Sequence, residues 1–298
     1  MKITLFIILV LVMSKLAAQD IPGLILIDAT GKHYNRILVH PDTNLAWGKG
    51  PLFENKYSSF RFSVCGLSVG WFDPYSKKQF DTHVIQYFDD KGFKKAADAV
   101  YGQDIFHASE STGVGGPVFY VNGKWERLPT YETTDSIIVE IIDPTSESPK
   151  FKVSYLGWKI ADDKKIDVIY EVSTRWNQRH VHAKISIVGD FNGKVGAGLT
   201  DMGSSWVPVK NVSAATMYIK STKDSYEHLQ ALHIEPKNFE SFEYSEYALS
   251  HIAILKKTDS GNYQYNFLFS SSIDEMPLYK NKNWEDELSF REPLAAPR

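Results

Sequence analysis

Residues 136–190, SIIVEIIDPTSESPKFKVSYLGWKIADDKKIDVIYEVSTRWNQRHVHAKISIVGD, decide the fold. Four runs, SIIVEIID, FKVSYLGW, KIDVIYEVSTRW and HVHAKISIVGD, are rich in Val, Ile and Tyr and are separated mainly by Asp, Gly, Asn, Pro and Ser. β-branched and aromatic residues alternating with polar ones suit a pleated, half-buried strand. Strands that follow one another through turns, with no helix between them, pair antiparallel and stack as sheets.

The same pattern continues on both sides. Downstream lie TMYIKST (216–222), YALSHIAILKK (247–257) and YQYNFLFSS (263–271). Upstream, PVFYVNGKWERL (117–128) reads as a hairpin turning on Asn122-Gly123, with Val118, Tyr120 and Trp125 as its cross-strand residues. In FRFSV, Phe60, Phe62 and Val64 alternate with Arg61 and Ser63, which sends Arg61 to solvent or into a cleft. GLILIDATG (23–31) and RILVH (36–40) read as two further strands. Helix is expected only over DDKGFKKAADAV (89–100), after a strand-like FDTHVIQYF, and as one turn of NWEDELSFREPL capped by Asn283. The expected fold is mostly β, an antiparallel β-sandwich with few short helices, of which a galactose-mutarotase-like supersandwich is one form.

MKITLFIILVLVMSKLAAQ has a charged start at Lys2, an apolar run from Ile3 to Met13 and small residues at Ala17-Ala18, the form of an export signal. The mature chain is expected to begin near Asp20 and to form one domain over 20–298, in the periplasm or secreted. The apolar run is short for a membrane span, and no membrane anchor is expected. A single cysteine, Cys65, excludes a disulfide scaffold. The formal charge of −3 and the lack of a Lys/Arg run argue against nucleic acid as a partner. The 13% aromatic content fits a β-core and equally fits rings that stack on sugars.

Chemistry is expected in YGQDIFHASESTGVGG (101–116), read as a loop between a helix and a strand. It gathers Tyr101, Asp104, His107, Ser109 and Glu110 beside glycines that include Gly115 and Gly116. His107 is its one side chain able to exchange a proton near neutral pH. No cofactor motif is present: the run lacks both the Gly-Lys-Ser/Thr ending of a P-loop and dinucleotide spacing. Gly66-Leu67-Ser68-Val69-Gly70 fits the nucleophile-elbow pattern, but Trp71-Phe72-Asp73-Pro74 reads as a turn where that elbow requires a helix.

His180 and His182 share one strand face with Lys184 and Ser186. With a third ligand from His83, His107, His233 or His251 they would hold a divalent metal; otherwise they are a polar strand face. Arg175 and Trp176 stand just upstream, a pair suited to the carboxylate and ring face of a sugar acid.

Four segments together resemble one family: AW…FENKYSSFRF at 46–62 (Trp47, Glu54, Asn55, Arg61), the loop 101–116, VGAGLTDMG at 195–203, and NWEDELSFREPL at 283–294. They are similar to the domain of unknown function 4861 family, with departures at Lys56, Tyr57 and Thr112. The resemblance implies an exported protein of polysaccharide breakdown, of the type that dehydrates a saturated uronic acid at the non-reducing end of ulvan oligosaccharides. Its partner would be a uronic-acid oligosaccharide. The residues then expected to act are His107, His182, Arg61 and Tyr101, with Asp104, Ser109, Gly115, Gly116, Trp47, Arg175, Trp176 and His180 binding the sugar. A glycoside hydrolase using Glu54, Asp104 or Glu110, and a non-catalytic sugar-binding sandwich, are the alternatives.

Overall fold

The computed structural model describes residues 23–28, 30, 32–40, 42–43, 45, 50–64, 69–77, 101–104, 111–201, 208–223, 226–272 and 277–278, with only the backbone described at 101–104 and 223. The chain runs through Leu24–Ile25 (β1), Arg36–Val39 (β2), Leu52–Glu54 (β3), Ser58–Phe62 (β4), Phe72–Lys77 (β5) and Tyr101–Asp104 (β6). It continues through Val114–Val121 (β7), Lys124–Arg127 (β8), Ser136–Asp143 (β9), Lys150–Ala161 (β10), Lys164–Ser173 (β11), Val181–Val188 (β12) and Val195–Thr200 (β13). Val209–Asn211 (β14), Thr216–Lys223 (β15), Tyr226–His233 (β16), Phe239–Ser245 (β17), Ser250–Leu255 (β18) and Tyr263–Ser271 (β19) complete it, with a short helical turn at Pro236–Asn238.

These strands form three antiparallel sheets. The largest has nine strands in the order β14-β15-β16-β19-β12-β11-β10-β9-β2. Two five-stranded sheets, β1-β3-β4-β5-β6 and β17-β18-β13-β7-β8, lie together against one face of it. A parallel bridge between Phe72 and Gly113 joins these two at β5 and β7, so they act as one layer. The antiparallel sandwich expected from the alternation of residues 136–190 is therefore the observed fold.

Alternation decides which side chains fill the space between the layers. From the nine-stranded sheet come Phe151, Tyr170 and Phe267; from β3–β5 come Phe53, Phe60, Phe62 and Phe72. Their rings meet across the layers: Phe53 with Phe151 at 5.3 Å, Phe62 with Tyr170 at 5.3 Å, and Phe72 with Phe267 at 4.7 Å. Such contacts add to the apolar burial that drives the layers together. Phe119 of β7 packs edge-on to Trp158 of β10 at 5.2 Å and extends this core under the second small sheet.

The Asn122-Gly123 hairpin forms as read: Val121 pairs with Lys124 and Tyr120 with Trp125, and both turn residues have positive φ, 52° and 83°. Two local readings are corrected. Tyr101–Asp104, taken as the start of a loop, is a strand paired with β5. Trp71–Pro74, taken as a turn, enters strand β5, where Pro74 pairs with Phe60. The segments read as FDTHVIQYF, as the helix 89–100 and as the turn at 283–294 lie outside the described residues, as does the leader.

Candidate functional site

In FDPYSK the even positions Phe72, Pro74 and Ser76 lie on the inner face of β5, which turns Asp73, Tyr75 and Lys77 outward. The neighbouring strands add Glu54 from β3 and Ser59 and Arg61 from β4 on the same outer face. This face is polar yet buried. Glu54 and Lys77 are both fully inaccessible, with Lys77 Nζ 2.9 Å from Glu54 Oε2. Lys77 also donates to the Asn55 carbonyl at 2.6 Å and stands 4.7 Å over the Trp176 ring. Removing two opposite charges from water is repaid only by close pairing and further hydrogen bonds, which this geometry supplies.

Arg61 and Asp73 form a second pair on this face, directly opposite each other across β4 and β5. Asp73 is 1% exposed, while Arg61 retains 16%. The guanidinium lies 5.1 Å from the Trp71 ring and 5.8 Å from that of Tyr75. The carboxylate on one side and the two rings around it hold the guanidinium in one orientation.

β6 brings the next expected residues to the same sheet. Asp104 pairs with Tyr75 and Tyr101 with Lys77, across a register shift. Arg61, Tyr101 and Asp104 are thus collected on three adjacent strands. Trp176 joins them from the loop between β11 and β12, which is pinned by Asn55: its Oδ1 accepts from the Tyr57 and Ser58 amides, and its Nδ2 reaches Thr174 Oγ1 and the Arg179 carbonyl. Arg175 of the same loop is exposed. His107, Ser109 and Trp47 lie outside the described residues, although His107 follows β6 by three positions.

The glycines of the loop serve packing. Gly113 has φ +63°, and a Cβ there would stand 1.9 Å from the Phe72 carbonyl oxygen. A Cβ on Gly115, at φ +83°, would stand 2.4 Å from the Phe267 ring, and one on Gly116 would stand 2.3 Å from the Thr112 carbonyl oxygen. Gly115 and Gly116, expected to bind sugar, are buried positions of β7 where backbone and core meet. Ser111 and Thr112 are held beneath by Thr200 and Ser250.

His180 and His182 are placed elsewhere. Val181 and Ala183 face the core, so His182 projects from the opposite, outer face of the nine-stranded sheet. Arg61 and His182, expected to act together, therefore point away from each other with both layers' core between them. His182 Nδ1 lies 2.9 Å from Asn266 Oδ1. With Oδ1 facing the ring, the Nδ1–H tautomer would donate here and leave Nε2 to accept. Burial lowers the His182 pKa, and Asn266 partly offsets this. Burial, then His182 and His233, pushes His180 down to about 4, and burial pushes His233 down to about 4. Three histidines thus cluster, but among the described residues no three His, Cys, Asp or Glu side chains converge as metal ligands.

Lys77, Asp73, Tyr75 and Trp71 were not singled out from sequence. The signal for Asp73, Tyr75 and Lys77 was the alternation of FDPYSK, hidden by Pro74, and Trp71 immediately precedes it. Among the described residues no helix is long and apolar enough to cross a membrane.

Fold and site together define a two-layer antiparallel β-sandwich that buries a cluster of ion pairs on the outer face of one layer. The chain matches the family described as Domain of unknown function (DUF4861) over residues 35–297, and it belongs to that family. No curated protein matches it in sequence. Among solved structures it is similar to the α-N-acetylgalactosaminidase NagBb of Bifidobacterium bifidum in complex with GalNAc, at 9% identity and a TM-score of 0.38 over 76% of this chain and 36% of that one. It is also similar to a protein described as an aldose 1-epimerase from Klebsiella pneumoniae subsp. pneumoniae, at 6% identity and a TM-score of 0.38 over 90% of this chain and 96% of that one. The chain spans about a third of the galactosaminidase. Neither likeness is close enough to carry function here.

Proposed function

We propose that this chain is an exported carbohydrate lyase that dehydrates a saturated uronic acid at the non-reducing end of an ulvan-type oligosaccharide. The observation that supports it is the Arg61–Asp73 pair beside Trp71 and Tyr75, on the sheet that also carries Tyr101 and Asp104. A uronic acid needs an oriented guanidinium for its carboxylate and aromatic surface for its ring.

In the reaction a base removes the C5 proton, the electron pair forms the C4–C5 double bond, and the C4–O bond breaks as the hydroxyl leaves as water. The negative charge that develops on the carboxylate is stabilised by Arg61. His107 takes the C5 proton, and Tyr101 delivers a proton to the departing hydroxyl. Asp104, Ser109, Trp47 and Trp176 orient the ring, and Arg175 lies at the rim. No divalent metal is required by this assignment.

For the hydrolase alternative, Glu54 is committed to Lys77. Its backbone stands about 14 Å from that of Asp104, at opposite ends of the row Glu54, Ser59, Tyr75, Asp104. Glu110, the third carboxylate of that alternative, lies outside the described residues.

The test is mature protein mixed with saturated uronic-acid oligosaccharides, followed by ultraviolet absorbance and mass spectrometry. Growth of enoate absorbance with loss of one water, abolished in His107→Ala, is the expected result. Cleaved sugar without absorbance, or full turnover by His107→Ala, overturns the assignment.

A further inference from the structure

The outer face of the nine-stranded sheet carries an ordered polar array that the dehydration chemistry does not use. His233 of β16, Asn266 of β19, His182 of β12, Ser173 of β11 and Lys150 of β10 are successive partners along one row. Two residues further along the strands, the next row holds Gln264, Lys184, Glu171, Lys152 and Glu140. The charges are unequal. Glu171 is shared by Lys150 at 2.9 Å and Lys184 at 3.2 Å, while Glu140 is shared by Lys152 at 2.6 Å and Arg36 at 3.5 Å. Lys150 also pairs across the strands with Asp143, so four cations meet three carboxylates, an excess of one positive charge on a chain whose formal charge is −3.

The opposite flank of the histidine row is apolar. Ala231 and Leu268 pack with Leu278 and Tyr218 on this same face. The middle is neutral: burial keeps His180 and His233 uncharged near pH 7, and Asn266 orients the His182 ring through its Nδ1. Cations, neutral hydrogen-bonding groups and an apolar floor follow one another in rows about 7 Å apart. A cationic row beside a neutral hydrogen-bonding row suits a ligand that carries both a carboxylate and hydroxyls.

We infer that this face is a second ligand site, for a single carboxylated sugar unit, on the opposite side of the molecule from Arg61. Lys184 supplies the surplus charge to the carboxylate, because Glu171 stays paired with Lys150. His182 and His233 take the hydroxyls, beside an apolar flank that Leu278 already seals. The site binds and does not react, so it stands whether or not the chain is a dehydratase.

The experiment is a titration of the full chain with glucuronate, followed by histidine imidazole NMR and calorimetry, with glucose and acetate as controls. Glucuronate is expected to shift the His182 and His233 signals, and neither control to match it. Lys184→Met, which leaves the Lys150–Glu171 pair in place, is expected to weaken binding at least tenfold at unchanged thermal unfolding. Arg61→Ala is expected to leave these shifts intact. Silent histidines, binding undiminished in Lys184→Met, an equal response to acetate, or loss of the shifts in Arg61→Ala would each overturn the site.

Discussion

The two outer faces of this sandwich treat charge in opposite ways. On β3–β5 the pairs Glu54–Lys77 and Arg61–Asp73 are sealed, with three of the four side chains at most 1% exposed. On β10–β12 the chain Lys150–Glu171–Lys184 is left 23–34% exposed. Both arrangements are ion pairs on strand faces, yet their energetics differ. A solvated pair is screened and contributes little. A sealed pair is a commitment, because loss of either member strands the other charge in a dry environment. Buried ionisable groups that a core of phenylalanines does not need are concentrated on the sheet to which Tyr101 and Asp104 also belong.

The sharpest way to break this comparison is Lys77→Met. With Glu54 left unpaired, unfolding in urea should show a loss of about 3–5 kcal/mol, and the double variant Glu54→Gln/Lys77→Met should recover much of it. A harmless single variant would put the two faces on the same footing. The next test sets one face against the other in turnover of the uronic-acid oligosaccharide. Arg61→Ala should reduce kcat about 10²–10³-fold, the scale of losing one transition-state charge partner. His182→Ala should leave kcat within about threefold, and the reverse order would move the chemistry to the nine-stranded sheet.

Acid should separate the faces as well. His180 and His233 have folded pKa values of about 4, below the ordinary 6.5, so the unfolded chain binds protons first. Their contribution to stability is complete above pH 6.5 and is lost as pH falls toward 4. His233→Gln should flatten that decline when urea midpoints are compared across the window. The smallest effect is expected from Trp176→Leu, which removes the ring under Lys77 and should lower stability by about 1–2 kcal/mol. Its sharpening value lies in turnover, where a larger loss than in stability would mark Trp176 as part of the sugar site.

Strand identity was legible where apolar residues alternated over a long run, as in β10, β11, β12 and β19, and where a turn had a specific chemical signature, as at Asn122-Gly123; the strands Tyr226–His233 and Phe239–Ser245 were not read from sequence. It failed at β6, whose four residues YGQD are too short to show a period and include a glycine. It failed again at β5, where Pro74 suggested a break. β6 partners begin only at Tyr75, so Pro74 sits ahead of the stretch that pairs on that side. Of the expected site, Arg61, Tyr101, Asp104 and Trp176 come together; His180 and His182 form a separate cluster; Gly115 and Gly116 are packing positions.

The reason is one of parity. Sequence by itself determined that Phe60 and Phe62 oppose Arg61, and that His180 and His182 share a face, because side chains alternate along any strand. That the glycines near residue 115 leave no room for a side chain was visible only in the structure. Which faces meet is a different matter. Only the tertiary structure decided that β4 and β12 turn their apolar sides toward each other, since that depends on how two layers some hundred residues apart stack to bury the most apolar surface. That stacking sends Arg61 and His182 to opposite sides of the molecule.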